Sequence, residues 1–246
     1  MTIFPSMKAF LTSILVMLAC AACSPREEGL ILKYDFSKSE GTVLKDVSGN
    51  GYDAALKGSA VLGDGAVDLG NEEGYIDMGC GIGEALKACG NFSISVKFLV
   101  SSEASLKGYG YFLWAFSTLE ANGATDGRYH AFRLNTQQAE NSVGGYTGES
   151  FMVVNEPAAQ GSWQHAVYVQ DGTAGKLYMN GKVVAQNDKM YTMAETFPDE
   201  APTFNWMGKA PFRGDKYLGG TMISFPTYSA AALLSPVRRT ALTPIS

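Results

Sequence analysis

The sequence predicts an all-β fold in which two antiparallel sheets pack together as a β-sandwich. Only 17% of the 246 residues are charged, while 28 are glycine and 11% are aromatic, which is typical of many short strands joined by glycine-bearing turns. Short runs of alternating apolar and polar residues recur between these glycines. A β-sandwich of this length commonly forms one domain. The net charge of −5 argues against a nucleic-acid partner, which would need a basic surface.

The N-terminal residues have the pattern of a secretory signal. Lys8 precedes the apolar run Ala9–Ala19, which is shorter than the roughly 20 residues that a membrane span needs. The "CAAC" that follows resembles the lipobox of bacterial lipoproteins, in which the signal is cut before a cysteine that then carries lipid. The resemblance implies a signal at 1–22, lipid on Cys23 and a tether at 23–29. The alternative is an ordinary cleaved signal with incidental cysteines.

Lipid on Cys23 would anchor the protein to a membrane of the cell envelope. Glu27 and Glu28 follow closely, and this acidic pair resembles the surface-export tag of some Gram-negative lipoproteins. We therefore expect an outer-membrane or cell-surface lipoprotein.

Two cysteines, Cys80 and Cys89, would remain in the mature domain after cleavage before Cys23. They lie close together in the sequence, and the compartment is expected to be oxidising, which favours a local disulfide. A pair of cysteines without a nearby histidine makes a poor zinc site. The sequence therefore predicts a Cys80–Cys89 disulfide in preference to a metal site or a reactive thiol.

Strand-length segments follow one another along the chain. "LILKYDF" predicts a first strand, and "NFSISVKFLV" places Phe92, Ile94, Val96 and Phe98 on one face of another. Only "GEALKA" predicts a helix, of about one turn. Further strands are predicted in "GAVDLG", "GYIDMG", "GYFLWAFS", "RYHAFRLN" and "SFMVVNE".

A hairpin is predicted in "GSWQHAVYVQDGTAGKLYMNGKVVAQ". The odd-numbered residues from Trp163 to Val169 share one face, and the even-numbered residues from Gln164 to Gln170 share the other. "DGTAG" reverses the chain, and Asn180–Gly181 suits a second, two-residue turn of type I′.

The segment "KDVSGNGYDAAL" concentrates turn-forming residues. Glycine and asparagine tolerate positive φ, and short polar side chains bond their own backbone, which predicts a tight turn over Asp46–Asp53. Asp46, Asn50 and Asp53 could also supply oxygen ligands to calcium. Their spacing is not that of an EF-hand.

Several segments together resemble a known family. They are "YDFSKSEGTVLKDVSGNGYDAAL", "GYIDMG", "FSISVKFLV", the hairpin above and "NWMGKAPF", followed by "YLGGTMIS". In this order they resemble the concanavalin A-like, laminin-G-like jelly-roll domains of bacterial surface proteins. The resemblance covers 30–224 and leaves 225–246 as an atypical tail, in which Pro226 argues against a regular central strand.

The resemblance also implies a cofactor. In such domains the D-x-S-G-N-G loop often lies beside calcium, and the matching positions here are Asp46 and Asn50. A purely structural turn is the alternative at these positions.

No catalytic residues are predicted, and we do not expect an enzyme. The E-x-D-x-x-E strand of jelly-roll glucanases is absent from the sequence, and no serine lies in a G-x-S-x-G elbow. The two histidines, His130 and His165, are predicted to have structural roles, His130 because it falls on the apolar side of "YHAFRLN".

Ligand binding is the function that the sequence favours. Tyr129 and Arg133 lie on the side of their strand opposite His130 and should face outward together, and Trp206 is a third candidate. The alternative is that these rings pack in the core. We predict a non-catalytic carbohydrate-binding or adhesive module that recognises a polysaccharide or glycan. The alternatives are the accessory domain of a truncated glycoside hydrolase and a structural spacer.

Overall fold

The protein is a sandwich of two antiparallel β-sheets, as the alternating sequence predicts. The computed structural model describes residues 29–122, 127–135, 141–145, 150–224 and 233–234. Within these residues, seventeen strands form one sheet of nine strands and one of eight. The signal sequence, Cys23, the tether up to residue 28 and Pro226 lie outside the described residues.

The nine-stranded sheet contains both the first and the last described strands. Its strands are β1 (Leu30–Leu32), β4 (Val61–Gly63), β5 (Ala66–Asp68), β7 (Asn91–Val100), β12 (Gln164–Asp171), β13 (Ala174–Met179), β14 (Lys182–Asn187), β16 (Thr221–Ser224) and β17 (Leu233–Leu234). The main path runs β14-β13-β12-β7-β16-β5-β4. Strand β17 pairs with β7 and with β1, so part of the predicted tail belongs to this sheet.

The eight-stranded sheet is formed by the remaining strands. They are β2 (Val43–Leu44), β3 (Ala54–Lys57), β6 (Tyr75–Asp77), β8 (Phe112–Ser117), β9 (Tyr129–Arg133), β10 (Asn141–Gly145), β11 (Ser150–Val154) and β15 (Phe204–Met207). Their order is β11-β10-β9-β8-β15-β6-β3-β2. Two short helices accompany the sheets, α1 (Ile82–Lys87) and α2 (Met193–Thr196).

The core lies between the sheets and is built by the alternating positions. Phe92, Ile94, Val96 and Phe98 on β7 are buried, which confirms the predicted face of this strand. The central strand β8 is buried at all six positions, because the loop of residues 208–220 covers its outer side. Its outer residue Phe112 packs against Phe212 of that loop.

The predicted hairpin is confirmed as β12 and β13. Even-numbered residues of β12 from Gln164 to Gln170 are buried, and odd-numbered ones are partly exposed. Asn180 (φ 51°) and Gly181 (φ 80°) both have positive φ at the turn into β14, as a type I′ connection requires. The Asn180 side chain also accepts a hydrogen bond from the backbone N–H of His165 (2.9 Å).

The cysteine prediction is corrected by the structure. Cys80 and Cys89 are not joined by a disulfide, and Cys80 is exposed whereas Cys89 is buried. Cys89 lies just after α1, and its thiol donates to the carbonyl of Ala85 within that helix (3.0 Å). Cys80 precedes the helix at the surface. The two thiols therefore occupy different environments, and no disulfide joins them.

Candidate functional site

A cleft of about 660 Å³ opens where three loops meet. They are residues 69–74 between β5 and β6, residues 101–111 between β7 and β8, and residues 208–220 between β15 and β16. The lining combines aromatic rings, carboxylates, two lysines and an asparagine. It includes Asn71, Glu72, Glu73, Glu103, Tyr111, Glu120, Lys209, Phe212, Asp215, Lys216 and Tyr217.

Backbone hydrogen bonds fix the 208–220 loop across the outer face of the eight-stranded sheet. The backbone N–H of Leu218 donates to the carbonyl of Gly208 (2.8 Å), which closes the loop at its base. Near its middle, Ala121 receives a hydrogen bond from the backbone N–H of Arg213 (2.7 Å) and donates to Pro211 (2.9 Å). The loop is therefore a defined wall of the cleft.

A second attachment involves the strained pair Gly110 and Tyr111. The backbone N–H of Tyr111 donates to the carbonyl of Lys216 (2.9 Å), and Gly110 forms a bridge with the same residue. A Cβ at Gly110 would lie 2.3 Å from the Lys216 carbonyl oxygen, so only glycine fits this approach. Tyr111 has φ 67°, a conformation that is costly for a bulky residue and that occurs more often at functional sites.

Lys209 lies within a group of three aromatic rings. Its ammonium is 4.0 Å from the ring centroid of Trp206, 5.0 Å from that of Tyr75 and 5.6 Å from that of Tyr217. Each distance allows a cation–π interaction. The strands β6 and β15 supply Tyr75 and Trp206, which are neighbours with centroids 6.0 Å apart.

Glu120 completes the surroundings of Lys209. Its carboxylate is 3.1 Å from the ammonium, and the two side chains are only 31% and 13% exposed. Burial alone would lower the pKa of Lys209, but hydrogen bonds to Glu120 and Tyr217 outweigh burial and raise it. Lys209 is therefore a charged, paired lysine.

Asp215 lies in the same wall and is partly buried. Burial raises the pKa of its carboxyl group, while the positive charge of Arg133 opposes that rise. A carboxylate in this position can accept hydrogen bonds from a ligand that carries hydroxyl groups.

The cleft offers the two kinds of contact that bind sugars. The ring of Tyr217 supplies an aromatic surface, and Asn71 with the carboxylates supplies planar polar groups. Aromatic surfaces cover the C–H patches of a sugar, while polar groups take its hydroxyls.

The predicted binding residues lie on the expected side of the sheet but under the loop. Tyr129 is 8% exposed because Phe212 packs on its ring, with centroids 5.0 Å apart. Trp206 is 4% exposed because Lys209 covers it. Arg133 is partly exposed and interacts with Asp215 of the cleft wall. The structure therefore brings all three near the cleft, with Tyr129 and Trp206 as supporting residues.

The residues that sequence reasoning missed are Lys209, Glu120, Tyr217 and Tyr75. The sequence did contain an indication of Lys209, because this lysine and Gly208 come directly after the aromatic strand "FNWM". No sequence signal indicated Glu120. It lies near Lys209 because the neighbouring residue, Ala121, pairs with Phe212 of the 208–220 loop.

The two histidines have the structural roles that the sequence predicts. His130 is buried between the sheets, where burial lowers its pKa to about 3, and it packs against Tyr168 and Phe92. The Nε2 atom of His165 is 2.8 Å from the hydroxyl of Ser95 on β7.

The predicted calcium ligands form a closed turn. The Asp46 carboxylate accepts hydrogen bonds from the backbone N–H groups of Lys33, Ser48 and Tyr52 and from the Ser48 hydroxyl. Asn50 directs its Nδ2 donor to the carbonyls of Leu30 and Ile31. Oxygens already engaged by four donors, beside an amide donor, favour the structural turn over a calcium site. Calcium binding at this turn stays a prediction of the sequence, and the hydrogen bonds are an argument for the structural alternative.

Two further features concern metals and membranes. Among the residues that the structure describes, no three histidine, cysteine or acidic side chains converge into a metal-binding group. No helix in this part of the chain is long and apolar enough to cross a membrane.

Solved structures with this fold include several modules of larger proteins. One is domain 4 of AbnA, an extracellular GH43 arabinanase of Geobacillus stearothermophilus, solved with arabinotriose. Its TM-score is 0.56 at 17% identity, over 81% of this chain and 94% of that one. Another is the Trypanosoma rangeli sialidase in complex with sialic acid. Its TM-score is 0.54 at 12% identity, over 78% of this chain and 29% of that one.

A third similar structure is the binding domain of botulinum neurotoxin serotype D. Its TM-score is 0.53 at 13% identity, over 79% of this chain and 46% of that one. At these identities the likeness establishes a common fold. A comparison with curated protein sequences finds no matching relative.

The family model described as the concanavalin A-like lectin/glucanases superfamily, of laminin G type, matches residues 88–235. The match covers more than half of the chain and includes β7 to β17. The chain therefore belongs to the concanavalin A-like lectin/glucanase superfamily.

Proposed function

We propose that the protein is a non-catalytic carbohydrate-binding module of the bacterial cell envelope, and that it binds its glycan in the cleft beside the 208–220 loop. The observation that carries the proposal is the joint lining of this cleft by an aromatic ring and planar polar groups, with Tyr217 and Asn71 as examples. A cleft of about 660 Å³ has room for a short oligosaccharide.

The comparison with the arabinanase supports this proposal. Domain 4 of that enzyme was solved with arabinotriose, and the match spans 94% of that domain. Attachment through lipid on Cys23 would hold the cleft at the surface, where polysaccharides are met.

The test is a glycan array followed by calorimetry with the best ligand. Tyr217→Ala should lower the affinity about two- to tenfold, because a stacked aromatic ring contributes about 0.5–1.5 kcal/mol to binding. Tyr178→Ala is the matched control, since Tyr178 is a partly exposed tyrosine on β13 of the other sheet. The control should bind as the wild-type protein does.

Two results would contradict the proposal. One is a folded wild-type protein that binds no glycan on the array. The other is an equal loss of affinity in the Tyr217 and Tyr178 variants, which would place the site elsewhere. Melting temperatures of both variants establish that they fold.

A further inference from the structure

The charged groups of the cleft are unevenly divided. Among the residues that the structure describes, its lining holds five carboxylates and two ammonium groups, those of Lys209 and Lys216. Lys216 is exposed to solvent, where its charge is screened. A third cation, Arg133, faces Asp215 from beneath the wall. Lys209 is therefore the cation best placed to meet a ligand inside the cleft.

Lys209 is nevertheless already paired. Glu120 lies 3.1 Å from its ammonium, and the rings of Trp206, Tyr75 and Tyr217 surround it. Only 13% of the Lys209 side chain is exposed. An anionic ligand that took Lys209 would leave the Glu120 carboxylate unpaired at the ligand's own position, and like charges would then repel.

The pair is fixed by the fold rather than by chance contact of two mobile side chains. Lys209 follows Gly208 at the base of the loop, and Glu120 precedes Ala121, which is hydrogen-bonded to the same loop at Pro211 and Arg213. The backbone thus holds both residues in register. The resulting arrangement has hydrogen-bond acceptors in excess, which suits the hydroxyl groups of a sugar.

We propose that the Lys209–Glu120 pair makes this cleft selective for uncharged glycans and excludes those that carry uronate, sialate or sulfate groups. This inference rests on the proposed carbohydrate function and adds the chemical class of the ligand. Selectivity follows from the pairing of Lys209 with Glu120, the solvent screening of Lys216 and the surplus of carboxylates. These carboxylates supply the repulsion against acidic ligands that specificity often requires.

The test uses one array that carries both uncharged oligosaccharides and oligosaccharides with uronate, sialate or sulfate groups. Wild-type protein should give signals only on uncharged glycans. Glu120→Gln removes the partner of Lys209 and should raise the signal on acidic glycans at least fivefold. The matched control is Asp199→Asn, which removes the carboxylate of an ion pair with Arg128 outside the cleft and leaves the Lys209–Glu120 pair intact. Its pattern should remain that of the wild-type protein.

Each other result overturns the inference in a recognisable way. Wild-type signals on acidic glycans would refute the selectivity and leave carbohydrate binding in place. If Glu120→Gln gives no gain, or if Asp199→Asn gives an equal gain, the Lys209–Glu120 pair is not the determinant. Absence of any glycan signal from folded wild-type protein would refute the proposed function itself, and the inference with it.

Discussion

His130 shows how strongly one side chain can link stability to pH in this protein. Its ring is buried between the sheets, stacked with Phe116 at 6.2 Å and close to Tyr168 at 5.2 Å. Burial opposes the charged imidazolium and lowers the pKa to about 3, against 6.5 for an exposed histidine. The apolar parity of "YHAFRLN" was sufficient to predict this position.

The pH prediction follows from that lowered pKa. Below pH 6.5 the unfolded chain takes up a proton at His130 that the folded protein does not, so acid favours unfolding until the folded pKa is reached. The contribution is about 1.4 kcal/mol per pH unit. We therefore expect the wild-type protein to lose this much unfolding free energy per pH unit relative to His130→Leu, from about pH 6 towards pH 3. Urea titrations at several pH values measure it, and parallel curves for the two proteins would contradict it.

The alternation of side chains along β9 predicts which side of the sheet a residue lies on, but not what covers it. It placed Tyr129 and Arg133 on the outer side of β9 correctly, because side chains alternate with period two. It gave no indication that Phe212 covers Tyr129, since that contact joins residues more than 80 positions apart. The local sequence therefore determines which face of the sheet a side chain lies on, whereas the residues that pack over it depend on the tertiary fold.

The strands and the hairpin are the elements that sequence predicted best. Alternation and an Asn-Gly turn depend on neighbours only. Alternation was confirmed in β7 and β12, and the turn was confirmed between β13 and β14. Helix α2 was missed, although its capping box is visible as Thr192 and Glu195 in "TMAETF". The loop of residues 208–220 could not be placed, because its hydrogen-bond partners near residues 111 and 121 lie about 100 positions earlier.

The close approach of Gly110 to Lys216 is expected to hold the 208–220 loop in place. Gly110→Ala would put a Cβ 2.3 Å from the Lys216 carbonyl oxygen and 2.5 Å from its nitrogen, so the loop must move. We expect a loss of roughly 2–4 kcal/mol in unfolding free energy and at least tenfold weaker glycan binding. Denaturant unfolding and calorimetry measure the two effects.

Gly108→Ala is the control for the strain of positive φ. Gly108 also has positive φ (83°), but a Cβ there meets nothing within 4 Å. This variant should lose about 1–2 kcal/mol from backbone strain and keep its glycan affinity. Equal loss of binding in both variants would show that the contact with Lys216 does not shape the cleft.

At the scale of the whole molecule, the turn around Asp46 ties the N-terminal strand to the sandwich. Asn50 donates to the carbonyls of Leu30 and Ile31 (2.9 and 2.8 Å), and Ser48 donates to Ile31 (3.1 Å). The strand held in this way, β1, pairs with β17, the last described strand. The sequence predicted both the turn and the family fold, but the pairing of the two ends is a non-local feature that no local pattern contains.

Substitution of Asp46 distinguishes a structural turn from a calcium site as the role of these residues. Asp46→Ala removes the acceptor of four hydrogen bonds and should lower the unfolding free energy by about 2–4 kcal/mol. Because those donors already occupy the carboxylate, we expect wild-type protein to melt at the same temperature in excess calcium and in chelator. A cation bound only by the folded protein would instead raise the melting temperature with its concentration. A calcium-dependent rise that Asp46→Ala abolishes would establish the metal site and contradict the turn alone.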